Sequence, residues 1–322
     1  MLAAAATAFS PDDPVAGLTV GELPDPAPGE GWVTVTVTAA SLNHHDVWSL
    51  KGVGLREEQL PMVLGTDAAA VDDDGNEYVV HAVIGDPAAG SGDETLDPKR
   101  SLLSERFNGT LAQRLAIPSR NLVPKPAELT AAEAACVPTA WLTAYRMLTT
   151  RGQLHAGETV LVQGAGGGVS TALVVLARSL GLRVWVTSRD EARRTHAVEL
   201  GADAAFESGA RLPERVDAVM ESVGEATWAH SLRSLRPGGR VVVCGATSGA
   251  TPSADLNRVF FLQLSVIGST MGTRDELEAV LAHMVDRGLR PQIDSSFALS
   301  DAAPAIGRLA SGQAFGKIVV TP

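Results

Sequence analysis

The segment TVLVQGAGGGVS, residues 159–170, restricts the possible folds of this chain more than any other stretch. A β-branched run, Thr159 to Gln163, leads into a glycine turn and then directly into an apolar segment of helical period, Ser170 to Leu180. Glycines let a backbone approach a pyrophosphate closely, and the first turn of a helix offers unpaired N–H groups and a positive dipole end. Gly164, Gly166, Gly167, Gly168 and Val169 are therefore candidate cofactor-binding residues. The strict G-x-G-x-x-G spacing fails, because Val169 stands where a third glycine belongs; the looser Gly164, Gly167, Ser170 spacing fits. A glycine turn alone marks only a tight turn, but a strand before it and a helix after it favour the dinucleotide reading.

The residues that follow repeat the same grammar. Arg183 to Thr187 reads as a strand, and Asp190 to Leu200 as a charged helix stopped by Gly201. Asp217 to Met220, Arg240 to Cys244 and Ser265 to Gly268 read as further central strands. Strand–helix alternation implies a parallel sheet covered on both faces. At the end of Arg183–Thr187 no carboxylate is placed to meet a ribose 2′-hydroxyl. Ser188, Arg189 and, one turn on, Arg193 and Arg194 stand there instead. A guanidinium matches a 2′-phosphate bidentately, which points to NADPH ahead of NADH. The competing reading is a solvated arginine face paired with Asp190 or Glu191.

Before this region the chain is mostly β. WVTVTVT, residues 32–38, alternates with period two, so one face is buried and one is wet. Asp86 to Asp97 is polar and glycine-rich and reads as an exposed loop, Gly109 to Ile117 as another strand, and Pro124 with Pro126 as a linker. A chain of 322 residues suggests two domains. The formal charge of −11 disfavours nucleic acid and anionic membranes as partners, since both need a basic face. Cys136 and Cys244 lack CxxC spacing, Met1 to Ser10 lacks a basic leader, and Ala134 to Tyr145 is too short to span a bilayer. The expectation is a cytoplasmic protein acting on a small molecule.

Several separated motifs, in order, carry a family resemblance: AASLNHHDVW (39–48), LPMVLGTDAAAV (60–71), GTLAQRLAIP (109–118), AACVPTAWLTAY (134–145), LVQGAGGGVS (161–170), RPGGRVVVCG (236–245), VIGSTMG (266–272) and FGKIVV (315–320). The chain resembles the medium-chain dehydrogenase/reductase superfamily, in its zinc-free, quinone oxidoreductase-like branch. That resemblance implies an α/β protein with a GroES-like β-barrel catalytic domain, residues 1–125 and 270–322. A doubly wound Rossmann cofactor domain, residues 126–269, is inserted between them, with the active site in the cleft. It also implies a homodimer joined through edge strands of the cofactor domains, at VIGSTM.

Zinc-dependent relatives carry a Cys ligand where this chain has Asn43, a His followed by Glu where it has Thr66-Asp67, and a third ligand near Thr139. Their four-Cys structural lobe is replaced by the loop around 86–106. Tetrahedral zinc needs three or four converging N, S or O ligands, and this sequence does not offer them at those places. Without a Lewis acid the expected acceptors are already activated: quinones, enones and other conjugated carbonyls. In such a site Asn43 is a candidate donor to a carbonyl oxygen and His45 the candidate acid. Thr143, Gly245 and Lys317 join the implied cofactor set, and Trp48 and Trp141 are candidate pocket walls. A catalytic tyrosine found in enoyl-thioester reductases of the superfamily is missing, its place held by Gly52-Val53-Gly54. The rival readings are a pathway-specific tailoring reductase with a narrow substrate and a non-catalytic NADPH-binding sensor.

Overall fold

The structure, a computed structural model, describes residues 1–322. The chain divides into two compact units, Met1–Leu142 with Met271–Pro322, and Thr143–Thr270. The first break therefore falls at 142/143, not at 125/126. The reason is packing. The short helix Ala131–Ala135 lies on the strands Trp32–Ser41 and Asp67–Val71, and the Ser41 hydroxyl donates to the Ala135 carbonyl.

In the first unit a seven-stranded sheet runs, strand by strand, through Leu122–Pro124, Glu77–Val80, Asp67–Val71, Trp32–Ser41, Lys317–Thr321 and Ile293–Ala298. Arg114–Pro118 pairs with the other end of Trp32–Ser41. The period-two reading of residues 32–38 holds: Val35 and Val37 turn inward, against Leu115, Ile117, Ile318 and Val320. Two expectations need correction. Pro124 does not open a linker, because Leu122–Pro124 pairs with Tyr78–Val80 at the sheet edge, where proline's missing N–H costs no ladder bond. Asp86–Asp97 is not simply exposed. Glu94 is 2% exposed, accepts from the Arg274 N–H at 2.7 Å and lies 3.2 Å from His81 Nε2. Asp97 caps the same lobe, accepting from the N–H groups of Asp86 and Lys99.

The second unit is a six-stranded, wholly parallel sheet. Its strands, taken in chain order, are Thr159–Gln163, Arg183–Thr187, Ala204–Phe206, Val216–Glu221, Leu235–Val243 and Ser265–Gly268, and they lie in the order 3-2-1-4-5-6. The order reverses between Thr159–Gln163 and Val216–Glu221. At such a reversal, crossovers leave toward opposite faces and open a crevice beyond the carboxyl ends of the strands. Leu161, Trp185, Val219, Leu232 and Val241 fill the core on one face. No helix in the chain is long and apolar enough to cross a membrane.

Candidate active site

The glycine turn begins where Thr159–Gln163 ends. Gly164 and Gly166 adopt φ of +82° and +100°, a region that side chains with a Cβ avoid. Gly167 caps the helix Gly168–Ser179, which starts two residues earlier than the apolar period suggested because Gly168 and Val169 already form its first turn. The turn thus places a helix N-terminus at the carboxyl end of the first strand of the sheet. Beside it, Ser188 follows the next strand and is buried, while Arg189 is exposed. Arg193 reaches back to donate to the Ala165 carbonyl inside the glycine turn, at 3.3 Å. Asp190 follows Arg189 at the start of the next helix. Its carboxylate caps the helix Glu191–Leu200 by accepting from the Arg193 backbone N–H. Gly245 follows the strand Leu235–Val243, and a Cβ there would lie 3.2 Å from the Ser222 carbonyl oxygen. Thr143 is buried in the helix Leu142–Arg146.

The first unit holds a second polar constellation, drawn from four separate parts of the chain. The Asn43 amide donates to Thr66 Oγ1 at 3.0 Å and to Asp67 Oδ2 at 2.9 Å. Thr139 donates to Asp67 Oδ1 and lies 3.1 Å from Thr66 Oγ1. Lys317, 3% exposed, donates to the Leu42 carbonyl at 2.7 Å, to Asn43 Oδ1 at 2.6 Å and to Asp67 Oδ2 at 3.2 Å. These bonds correct two expectations. Both Asn43 amide protons are committed to neighbours, so no donor is left for a substrate carbonyl. All three Lys317 protons are spent as well, so its ammonium serves the knot and has no proton left for a phosphate. Trp141 is also corrected: at 1% exposed it is core, whereas Trp48 is half-buried on the helix His44–Leu50.

That helix is set by its own first turn. Asp46 Oδ2 accepts from the Asn43 N–H at 2.8 Å, and Oδ1 accepts from the Gly65 N–H at 2.9 Å. Burial raises the Asp46 carboxyl above its usual range against the pull of those bonds. His44 at the helix start is exposed. His45 is partly covered, its Nε2 lying 3.2 Å from Glu105 Oε1 and its Nδ1 3.3 Å from Ser104 Oγ. Burial disfavours the imidazolium, but the Glu105 hydrogen bond and the charges of Asp46, Glu105 and Asp67 outweigh it, so its pKa rises above the ordinary histidine value. Ser104 and Glu105 escaped the sequence reading, because nothing in SERF signals a histidine some sixty residues earlier.

Comparison with known proteins bears on this geometry. Residues 29–127 match the alcohol dehydrogenase GroES-like domain, and residues 168–286 match the zinc-binding dehydrogenase model. A solved NAD-dependent alcohol dehydrogenase is 32% identical, with both chains covered in full and a TM-score of 0.90. The chain belongs to the medium-chain dehydrogenase/reductase superfamily. It is accordingly an oxidoreductase with a GroES-like domain and a Rossmann domain. An acryloyl-coenzyme A reductase of Sulfurisphaera tokodaii is 26% identical to this superfamily member, over 96% of this chain and 98% of its own. One from Metallosphaera sedula is 28% identical over 95% and 96%. A solved 2-octenoyl-CoA carboxylase reductase, in complex with NADP and 2-octenoyl-CoA, is 25% identical, covers 99% of this chain and 87% of its own, and has a TM-score of 0.92.

One of the matched superfamily models carries zinc in its description, and the residues here do not suit that metal. At the positions where zinc-dependent relatives carry ligands stand an amide, two hydroxyls and one carboxylate, bonded to one another. A lysine ammonium already occupies the carboxylate, and a second cation there would meet its charge unscreened. Nearby Cys136 is buried, its thiol donates to the Ala132 carbonyl at 3.2 Å, and burial pushes that thiol up to about 12. No three His, Cys, Asp or Glu side chains anywhere in the chain group as metal ligands do.

Proposed function

We propose that this protein is an NADPH-dependent reductase of α,β-unsaturated carbonyl compounds that works without zinc, with enoyl thioesters the leading substrate class. The observation that carries the reading is the Lys317 ammonium bonded to Asn43 and Asp67, where a catalytic metal's ligands would stand. A site without a Lewis acid favours an acceptor whose double bond is already polarised by conjugation. The acryloyl-CoA reductases and the 2-octenoyl-CoA enzyme add support for thioesters.

The glycine turn 164–168 and the first turn of its helix, through Val169, would hold the pyrophosphate, with Ser188, Arg189 and Arg193 at the 2′-phosphate; NADPH supplies the hydride when bound. His45 holds the proton that the α-carbon takes up once the β-carbon has been reduced. Thr143 and Gly245 would line the nicotinamide side, and Trp48 the acceptor. Quinones remain the second reading, favoured by the missing tyrosine at 52–54. A homodimer through Ser265–Gly268 is part of the proposal: this strand pairs on one side only, Val266 is exposed, and nearby Phe261 is 80% exposed. Two free cysteines, one of them buried, suit a cytoplasmic setting.

The test is NADPH oxidation at 340 nm with acryloyl-CoA, crotonyl-CoA, 2-octenoyl-CoA, simple enones and quinones, beside elemental analysis of protein purified without chelator. Thioester turnover with zinc far below one equivalent supports the proposal. Turnover of quinones alone moves the substrate class, and stoichiometric zinc lost together with activity overturns the metal-free reading. Tight NADPH binding with no turnover on the whole panel leaves the sensor reading.

A further inference from the structure

The strand order of the parallel sheet reverses between Thr159–Gln163 and Val216–Glu221, and the last residue of each strand is a wholly buried polar side chain. Glu221 is the unusual one, for its carboxylate meets no lysine or arginine. Oε1 accepts from the N–H groups of Val223 at 2.8 Å and Gly224 at 3.0 Å, and from the Thr227 hydroxyl at 2.9 Å. Oε2 accepts from Thr227 at 2.9 Å and from the Ser231 hydroxyl at 2.6 Å, both on the helix Glu225–Ser234. The direction of the Ser231 bond is set from behind. Gln163 Nε2 donates to Ser231 Oγ at 3.0 Å and to His230 Nδ1 at 2.9 Å, while Gln163 Oε1 accepts from the Thr187 hydroxyl. With its oxygen engaged by Gln163, Ser231 has its proton free for Glu221. His230 brings no charge: bare Nδ1 accepts from Gln163, Nε2–H donates to the Ala210 carbonyl at 2.9 Å, and burial lowers its pKa. Every partner of Glu221 donates, as an ionised carboxylate requires, and none carries a positive charge.

We propose that Glu221 is a fixed negative charge beneath the nicotinamide half of the cofactor crevice, where it favours the oxidised ring over the reduced one. The inference rests on the nicotinamide-cofactor reading above and adds a direction to it. A doubly wound sheet is built from two mononucleotide-binding halves, and a dinucleotide lies across the strand ends where they meet. The glycine turn after Thr159–Gln163 suits the pyrophosphate, and Ser188 with Arg189, after Arg183–Thr187, suits the adenosine side. The other mononucleotide then falls to the half that Val216–Glu221 begins. Oxidised nicotinamide carries one positive charge and the reduced ring carries none. A desolvated carboxylate with no cation of its own therefore stabilises the oxidised form, and the two-electron couple is held more reducing when bound than when free. That bias suits a site whose task is to give a hydride away. The turn that Glu221 ties also shapes the crevice. A Cβ on Gly164 would lie 3.3 Å from Val223 Cγ2, and one on Gly224 would lie 2.4 Å from the Gly249 carbonyl oxygen. Such packing serves both forms of the cofactor alike, so the ratio of their affinities isolates the charge.

The experiment measures the Kd of NADP⁺ and of NADPH by calorimetry on the full chain, with no acceptor present, in wild type, Glu221→Gln, Ser222→Lys and Ser231→Ala. Glutamine fits the same bonds. Its carbonyl can accept from Val223 and Gly224 and its amide can donate to Ser231 Oγ, whose own proton turns to the Thr227 carbonyl 3.1 Å away. Losing the charge should raise the Kd of NADP⁺ relative to that of NADPH on the order of tenfold, the effect of a unit charge about 10 Å away at an effective interior dielectric of about 20. A tenfold ratio corresponds to about 30 mV in the potential of a two-electron couple. Ser222→Lys brings a cation to the half-buried residue beside Glu221 and leaves the carboxylate's bonds in place. It should move the ratio the same way, and it reads the charge even if Glu221→Gln does not fold. Ser231→Ala removes one bond but not the charge, so both constants should change together and the ratio should stay. A wild-type ratio in Glu221→Gln or, should that variant not fold, in Ser222→Lys overturns the electrostatic role. A ratio that moves as far in Ser231→Ala overturns it too, by assigning the effect to the shape of the turn. A wild-type chain that binds neither nucleotide overturns the cofactor reading itself, and this inference with it.

Discussion

The glycine turn at 164–168 and the knot around Asp67 are both polar and both central to the proposed chemistry, yet they are built in opposite ways. The turn is contiguous: strand, glycines and helix follow one another, and each residue's conformation is fixed by its neighbours. In the knot Lys317 meets Asn43 and Asp67 across 274 and 250 residues. A local device tolerates change because its backbone is held by the flanking strand and helix. A long-range one concentrates its stability in a few buried charges, so removing one partner leaves another uncompensated.

The sharpest way to break that comparison is Asp67→Ala. It strips Lys317 of its only charged partner in the interior and should destabilise the protein by about 3–5 kcal/mol, read from the urea midpoint. Asp67→Asn combined with Lys317→Met, which removes both charges, should recover much of the loss. If Asp67→Ala costs under about 1 kcal/mol, the knot is no more critical than a loop.

Acid tests the second long-range anchor in the same unit, Glu94. Burial opposes its ionisation, but the His81 ring 3.2 Å away and the bond from the Arg274 N–H hold its pKa at about 2. A depressed carboxyl stabilises the fold fully above its ordinary value near 4.5 and loses that contribution as pH falls toward 2. The loss should approach roughly 2–3 kcal/mol, seen as a falling denaturation midpoint below pH 4.5 that Glu94→Gln flattens. An identical acid slope in Glu94→Gln would place the linkage elsewhere.

On the local side the effects are smaller and fall on the cofactor. Arg189→Ala should weaken NADPH by roughly 10- to 150-fold, the value of a charge-assisted hydrogen bond, and leave NADH nearly untouched. Equal losses for both cofactors in a fluorescence titration would return the arginines to the role of a solvated face. Gly164→Ala, forced into φ near +82°, should cost about 1–2 kcal/mol in stability together with weaker NADPH binding.

The same contrast explains what the sequence let through. Thr159–Gln163, Arg183–Thr187 and Ser265–Gly268 were legible residue for residue, because β-branched runs between glycines and polar turns state their own limits. Asn43 was rightly singled out, yet its two donors proved to be spent on Thr66 and Asp67, partners more than twenty residues away. Lys317 looked like a cofactor ligand because its surroundings in FGKIVV say nothing about Asp67. Asp86–Asp97 read as exposed because its polar composition is that of a solvated loop, and only the fold supplies Arg274 and His81 as the partners that bury Glu94. Ser104 and Glu105 were invisible for the same reason. Composition and period describe a neighbourhood in the chain, whereas a buried polar group is defined by whatever the fold brings to it.

Lys317 has one more consequence, measured in time. The strand Lys317–Thr321 inserts between Trp32–Ser41 and Ile293–Ala298, so an inner strand of the first sheet is supplied by a late part of the chain. Ribosomes add about 5–20 residues per second, so Lys317 emerges about 14–55 seconds after Leu42, the residue 275 places earlier that it will grip. Through that interval Asp67 waits without its cation, while the whole of 143–270 is made and can fold as a unit of its own. The nascent polypeptide would therefore acquire its nucleotide fold first and its chemical site last, an order of birth that delays any catalytic competence until the sheet has been closed.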